Sequence, residues 1–462
     1  MSNFSTCATN RNLIFEIFPF QLARHLIRLL LFSLAILWGL SATGQAGELS
    51  ILEKLGKQIF FDTNLSTPPG QACASCHLPE AGFTGPTSAV NQQGAVYVGA
   101  VPSRSGNRKP PSVAYASFSP VFSYSKADET YVGGQFWDGR AINLVEQAKA
   151  PFLNPLEMNN KDAAEVVGKV LRSSYRPLFN QAAGPGMASQ DTEAIFDFIA
   201  RALAAYESSR EVNSFSSKYD AYLAGRAKLT PLEQQGLDLF INKANCTACH
   251  PHDPDSDGNP PLFTDFTYDN VGAPRNPRNP YYRMSRDVNP EGEQFRDLGL
   301  GGSLQKPEEW GKVKVPTLRN IGRRPAPEFV KSYLHNGVFK SLKEVVHFYN
   351  TRDVPPGEFG DPDVVENVNR EELGNLKLTD AEENALVAFL ETLSDGYFDP
   401  ETGNLIPGPI ADSGNGTASP GKGGDVGIVN GDHFRGAAEV ARYLRFRSRV
   451  LQATRPDQGA TR

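Results

Sequence analysis

Two short strings in the sequence, Cys73–His77 and Cys246–His250, share the pattern C-x-x-C-H. Two thiols at this spacing can bond to the two vinyl groups of one haem, and the adjacent histidine can ligate its iron. The pattern therefore predicts two covalently attached haem c groups. The residues predicted to hold them are Cys73, Cys76 and His77 for the first haem, and Cys246, Cys249 and His250 for the second.

Other uses of paired cysteines are disulfides, a zinc site or a thioredoxin-type redox pair. Apart from Cys7, every cysteine of the chain lies in one of the two strings, and each pair is followed directly by a histidine. That combination favours haem attachment over the three alternatives.

The second axial position of each iron separates electron transfer from catalysis. No histidine lies between His77 and His250, so a distal ligand of the first haem from its own domain cannot be imidazole. Met158 and Met187 are the sulfur candidates there. An open iron that can bind peroxide is therefore plausible at the first haem.

For the second haem the candidate ligands lie in the C-terminal half: His252, Met284, Tyr333, His335, His347 and Tyr349. A helix predicted to begin after Ser341, with Glu344 completing a capping box, turns Tyr349 inward and His347 nearly opposite. Core packing with a satisfied hydroxyl is the alternative role for Tyr349.

The elements that must position these residues are mainly helices. Apolar spacing predicts helices over Leu49–Phe61 and Leu229–Phe240, each leading to a C-x-x-C-H string. This weak internal repeat predicts a mostly α fold with two c-type cytochrome-like haem domains. The Gly- and Pro-rich stretches between helices predict long irregular loops.

The domain boundaries follow from composition. Residues 1–46 read as a signal peptide, with basic residues before the apolar run Leu29–Leu40, which is too short to span a bilayer comfortably. The expected haem domains cover 47–225 and 226–398. Residues 399–462 are predicted to be a disordered tail with a basic C-terminal segment. A net charge of −6 without a dense basic patch in the main body argues against nucleic acid as a partner.

Four further segments, read together with both strings, carry a resemblance to a known family. They are Leu55–Asp62 (LGKQIFFD), Gln135–Arg140 (QFWDGR), Gln147–Met158 (QAKAPFLNPLEM) and Val315–Asn320 (VPTLRN). Over about 49–397 the chain resembles bacterial di-haem cytochrome c peroxidases and their MauG relatives. The resemblance implies that the N-terminal haem is the peroxide site and the C-terminal haem the electron store.

Carried over by motif, Glu157 and Gln147 would line the distal side of the first haem, and Trp137 would relay electrons between the haems. The residue types suit these tasks. A carboxylate can move the proton that peroxide cleavage requires, and an amide can donate a hydrogen bond to the bound oxygen. An indole can pass single electrons. Without the resemblance, each has a plainer role: a surface carboxylate, an exposed helix residue and a buried aromatic.

The sequence also departs from the classical members of the family. The loop 96–108 lacks the distal histidine that they place on the first haem, and Tyr349 stands where they have a methionine on the second. Both departures are MauG-like. The family's calcium site uses an asparagine for which this chain has Lys109, with carbonyls near Val330 and Ser332 in a changed context. Calcium is therefore a doubtful cofactor.

The leading prediction is a periplasmic peroxidase that reduces hydrogen peroxide to water with electrons from a small c-type cytochrome or cupredoxin. A second possibility is a MauG-like enzyme that uses a high-valent di-haem state to oxidise side chains of a partner protein. A third is a di-haem electron carrier without peroxidase activity. For any of the three, no membrane span is expected in the mature chain, and the relatives lead us to expect that a homodimer can form.

Overall fold

The structure, a computed structural model, describes residues 48–255 and 258–399. Eleven α-helices lie in these ranges. In chain order they are α1 (Ile51–Phe61), α2 (Ser88–Gln92), α3 (Leu144–Leu153), α4 (Ala163–Leu171), α5 (Arg176–Ala183), α6 (Thr192–Glu207), α7 (Lys218–Leu223), α8 (Pro231–Ile241), α9 (Gly299–Leu304), α10 (Leu342–Thr351) and α11 (Asp380–Glu391). Long irregular segments connect many of them, as expected from the Gly- and Pro-rich stretches.

Strands are few and short in the described ranges. β1 (Ser123–Ser125) pairs antiparallel with β2 (Thr130–Val132), and β3 (Tyr268–Asp269) pairs antiparallel with β4 (Val313–Lys314). The prediction of a mostly α fold is confirmed.

The two helices that precede the C-x-x-C-H strings begin in the same way. Helix α1 begins with a capping box between Ser50 and Glu53, and α8 begins with one between Thr230 and Glu233. A capping box satisfies two backbone N–H groups that the first turn leaves free. Each string therefore follows a helix with a well-defined start.

Glycine lets each of these helices approach a partner closely. A Cβ on Gly56 of α1 would lie 1.8 Å from the carbonyl oxygen of Ala202 on α6. A Cβ on Gly236 of α8 would lie 2.0 Å from the carbonyl oxygen of Ala385 on α11. No side chain fits at these distances, so both crossings require glycine.

Two hydrophobic clusters surround these helix pairs. The first includes Leu55, Phe60, Phe152, Val166, Ile199 and Leu203. The second includes Leu237, Phe240, Phe348, Leu386 and Phe389, and also takes in Tyr219, which precedes the predicted boundary at 225/226. That boundary stays a prediction.

A buried ion pair lies beside the second cluster. The guanidinium of Arg319 donates to both carboxylate oxygens of Asp220 at 2.9 and 3.0 Å, and the two side chains are 1% and 2% exposed. The Arg319 guanidinium also lies over the ring of Tyr115, whose hydroxyl donates to Asp395. Arg319 thus connects residues far apart in the sequence.

The predicted signal peptide, 1–46, and all of the predicted tail after residue 399 lie outside the described residues. None of the helices in the described ranges combines the length and the apolar character that a bilayer span requires.

Candidate active site

Both C-x-x-C-H strings line one cavity. The space inside it, counted together with open solvent at its mouth, is about 3270 Å³. The walls are largely apolar and include Phe60, Leu203, Phe240, Leu342, Val346 and Leu386. The apolar walls, together with the cysteine and histidine side chains of both strings, fit two haem groups.

The two strings have the same local backbone. Cys73–Ser75 and Cys246–Ala248 are short 3₁₀ turns, and the N–H of His77 and that of His250 donate to the carbonyl of the first cysteine of their string, at 3.0 and 2.9 Å. All four thiols of the strings are free of disulfides. Burial raises the pKa of the Cys76 thiol to about 12, with the charge of Glu157 adding to the effect.

The two string histidines are oriented alike. Nδ1 of His77 lies 3.1 Å from the carbonyl oxygen of Phe83, and Nδ1 of His250 lies 2.7 Å from that of Phe263. A carbonyl only accepts, so each Nδ1 carries the proton and each Nε2 keeps its lone pair for a metal. Burial lowers the pKa of both imidazoles to about 4, which keeps them neutral. This arrangement fits an iron ligand at each string.

Helix α3 and the turn that follows it bring the two predicted distal residues to the cavity. Asn143 caps α3 by accepting from the N–H of Glu146, and Gln147 lies in the next turn of the helix. After α3 the chain turns back, with the N–H of Glu157 donating to the carbonyl of Asn154 at 3.0 Å. Gln147 and Glu157 both line the cavity.

Glu157 lines the same cavity as the first string, and the charge of its carboxyl group adds to the raised pKa of Cys76. Burial raises the pKa of Glu157 itself, and the positive charge of Arg140 and a hydrogen bond with Asn154 partly oppose this shift. A carboxylate with a raised pKa in a cavity is suited to proton transfer.

Trp137 is 8% exposed and lines the same cavity. Its Nε1 donates to the carbonyl of Lys109 at 2.9 Å, its carbonyl accepts from the N–H of Lys314, and its ring meets that of His335 edge-on at 6.4 Å. The indole therefore contacts segments from both halves of the sequence.

Tyr349 lines the cavity from α10, which begins with the predicted Ser341/Glu344 capping box. Burial raises its pKa, and the charges of Asp269 and of the thiols of Cys249 and Cys246 add to the effect. Tyr349 thus lies near the second string.

The other ligand candidates separate into two groups. Met158, Tyr333 and His335 also line the cavity, whereas Met187, His252 and Met284 are not among its lining residues. His347 faces away, with Nδ1 2.9 Å from Glu383 and Nε2 3.0 Å from Glu358. The predicted opposite orientation of His347 and Tyr349 is confirmed.

Several charged residues near the cavity were not anticipated from the sequence. Arg108 donates to both oxygens of Asp297 and to Asp138, each at 2.6 Å. Glu207, at the end of α6, lines the cavity, and burial raises its pKa to about 8. Asp138 lies within the segment Gln135–Arg140, but the sequence does not indicate its pairing with Arg108, because the members of this cluster come from distant segments.

One acidic cluster adjoins the second string. Single ligand atoms of Cys249, Asp269 and Glu372 lie within 4.8 Å of one another. Since Cys249 is predicted to bond haem, its sulfur is not available as the ligand of a separate metal ion.

Comparison with known proteins agrees with this geometry. The family model described as di-haem cytochrome c peroxidase matches residues 51–228. The methylamine utilization protein MauG of Paracoccus denitrificans is 38% identical over 364 residues, covering 76% of this chain and 90% of that protein. The cytochrome-c peroxidase IdrP1 of Denitromonas iodatirespirans is 27% identical, covering 74% of this chain and 80% of that protein.

Among solved structures, the diheme peroxidase BthA from Burkholderia thailandensis superposes with a TM-score of 0.65 at 34% identity, covering 79% of this chain and 92% of that chain. The match to MauG covers about three quarters of this chain and nearly the whole length of that relative. This chain belongs to the di-haem cytochrome c peroxidase and MauG family.

Proposed function

We propose that this chain reduces hydrogen peroxide to water at a haem held by the first string, with electrons arriving through a haem held by the second. The observation that carries the proposal is that Glu157 and Gln147 line one cavity with Cys73–His77. In this proposal the haems are covalently attached, 47–225 carries the peroxide site, and 226–398 carries the electron-transfer site. The donor is a small c-type cytochrome or cupredoxin in the periplasm.

When bound, haem supplies an iron that can coordinate peroxide and exchange electrons with it. Glu157 accepts the proton that leaves the first peroxide oxygen and returns it to the second oxygen, which departs as water. Burial of Glu157 raises its pKa, which brings the carboxyl group closer to the operating pH and favours proton transfer in both directions.

The neighbouring residues orient the substrate and supply the electron path. The amide of Gln147 donates a hydrogen bond to the bound peroxide, so that the proton faces Glu157. Reducing one peroxide to two waters consumes two electrons and two protons. Trp137, held by its hydrogen bond to Lys109 in the cavity wall, relays those electrons one at a time.

Spectra of the oxidised holoprotein test this proposal. We expect one high-spin and one low-spin ferric haem in the EPR spectrum, because Tyr349 would ligate the second iron, whereas Glu157 and Gln147 would leave the first iron accessible to peroxide. We also expect steady turnover of hydrogen peroxide with a reduced small c-type cytochrome. Two low-spin haems that do not respond to peroxide would instead indicate a di-haem electron carrier.

A second function has support from Tyr349. A phenolate ligand stabilises an oxidised iron, so a second haem with this ligand could hold oxidising equivalents drawn from peroxide. The enzyme could then oxidise side chains of a partner protein. The 38% identity to a MauG protein adds to this support.

Replacing Tyr349 with Phe removes the phenol oxygen but keeps the ring. If Tyr349 ligates the second haem, Tyr349→Phe is expected to convert the low-spin EPR signal to high spin or to shift its g values. Tyr333→Phe is the matched control, because Tyr333 is another buried tyrosine of the cavity. An unchanged signal in Tyr349→Phe would assign the ligand to another residue.

A further inference from the structure

Two buried lysines donate hydrogen bonds to oxygen atoms of the protein, and one of them, Lys331, joins distant segments. Lys331 is 6% exposed, and its Nζ donates to the carbonyls of Ala81 at 2.9 Å, Asn320 at 2.8 Å and Arg323 at 2.9 Å. The carbonyl of Ala81 follows the first string, whereas the other two lie in the C-terminal half. The ammonium of Lys331 therefore joins the two halves of the chain.

Burial lowers the pKa of Lys331, and the positive charge of the nearby Lys109 lowers it further. Lys109 is 8% exposed, and its Nζ donates to Thr84 Oγ1 at 3.0 Å and to the carbonyl of Pro110 at 3.2 Å. Within 48–255 and 258–399, neither lysine forms an ion pair with a carboxylate. The hydrogen-bond partners of both ammonium groups are carbonyl and hydroxyl oxygens.

Oxygen atoms of Asn91, Gln93 and Val330 also accept hydrogen bonds from side chains. The carbonyl of Val330 accepts from Nδ2 of Asn91 at 2.9 Å, and Oδ1 of Asn91 accepts from the hydroxyl of Ser332 at 3.3 Å. The Nζ of Lys340 donates to the carbonyls of Asn91 at 2.6 Å and Gln93 at 3.0 Å. The oxygens of these residues therefore already have hydrogen-bond donors from the protein.

A calcium ion, which the resemblance implies between the haems, does not fit this arrangement. Calcium takes about six to eight oxygen ligands and favours carboxylates among them. Here Lys109 replaces an asparagine ligand, the Val330 carbonyl is already paired, and a second ammonium lies nearby. A divalent cation would be repelled by the positive charges of both lysines, and among the described residues no carboxylate forms an ion pair with either of them.

We propose that the ammonium groups of Lys331 and Lys109 take the structural place of a divalent cation, so that the chain needs no calcium. Lys331 holds Ala81 to the segment 320–323, and Lys109 holds Thr84 to the segment 109–110. Charge-assisted hydrogen bonds to carbonyls are strong, and they offset part of the cost of burying an ammonium group. Because the cation is part of the chain, it cannot be removed by a chelator. The proposal does not depend on the peroxidase function.

Calcium content and thermal unfolding of the holoprotein test the proposal directly. After purification in calcium-containing buffer and desalting, elemental analysis should find no stoichiometric calcium. Adding EGTA or excess calcium should shift the unfolding midpoint by less than about 1 °C, because a ligand stabilises only a protein that binds it. About one calcium per chain, together with a lower midpoint in EGTA, would overturn the proposal.

Lys331→Met tests the contribution of the ammonium group. It leaves three carbonyls without their donor, so the midpoint should fall by roughly 5 °C or more. Lys161→Met is the control, because the Lys161 side chain is 87% exposed. Equal midpoints in the two variants would contradict the proposal. If Lys331→Met does not accumulate as folded protein, the calcium content and EGTA response of the unaltered chain still decide the question.

Discussion

Glu157→Gln is expected to lower the turnover number for hydrogen peroxide by about 10²–10⁴-fold, the range attributed to a single general acid–base group. Glutamine has nearly the same shape as glutamate but cannot accept and return the proton. The haem content and the absorption spectrum of the resting protein should stay unchanged. Stopped-flow absorbance after mixing with peroxide, together with steady-state turnover, measures the effect.

Glu146→Gln provides a matched control for Glu157→Gln, since Glu146 is a carboxylate on α3 that pairs with Lys149 and does not line the cavity. It should retain turnover within a few fold. Equal turnover in the unaltered protein and in Glu157→Gln would remove Glu157 from the mechanism, and loss of haem in the variant would indicate a structural role.

The raised pKa of Glu157 also predicts the direction in which turnover changes with pH. Only the ionised form of Glu157 can accept the proton. Turnover should therefore fall as the pH drops through the pKa of Glu157, which burial raises above the ordinary value for glutamate. In Glu157→Gln this acidic limb should disappear. The pH dependence of turnover, measured on both proteins, checks the assignment independently of the absolute rate.

Replacing both cysteines of one string is expected to halve the covalently bound haem. Without the thiols no thioether bond can form, and a haem held only by its histidine should be lost when the protein is denatured. Haem staining after denaturing electrophoresis and the pyridine haemochrome assay measure the bound fraction. The double substitution at Cys73 and Cys76 should also abolish peroxide turnover.

The corresponding double substitution at Cys246 and Cys249 should leave the first haem attached but interrupt electron delivery. Cys7→Ala is the control, because Cys7 belongs to neither string, and it should retain both haems. Two covalent haems in either double variant would contradict the predicted attachment.

The parts of the fold that depend on local sequence were predictable. The helix after Ser341 begins where the Ser341/Glu344 pair indicated, because a capping box is complete within four residues. The C-x-x-C-H strings were recognisable for the same reason, since thiols and imidazole lie within five residues.

The long-range contacts were not predictable from spacing. Lys331 binds the carbonyl of Ala81, 250 positions away in the sequence, and no periodicity records such a pairing. His335 appeared only as one candidate ligand among several, yet its ring meets that of Trp137 in the cavity wall. The positions of Glu157 and Gln147 relative to the first string came from the family resemblance, because helical spacing alone does not say which wall α3 faces.

The hydrogen bonds from the two string histidines bear on reduction potential. Nδ1 of His77 and Nδ1 of His250 donate to neutral carbonyls, those of Phe83 and Phe263. A carboxylate acceptor would draw the proton away and make the imidazole a stronger electron donor to the metal. With a neutral acceptor each imidazole keeps its proton and donates less charge. On this ground alone, both irons would be easier to reduce than irons whose histidine is paired with aspartate, and these two hydrogen bonds would not by themselves distinguish the two haems.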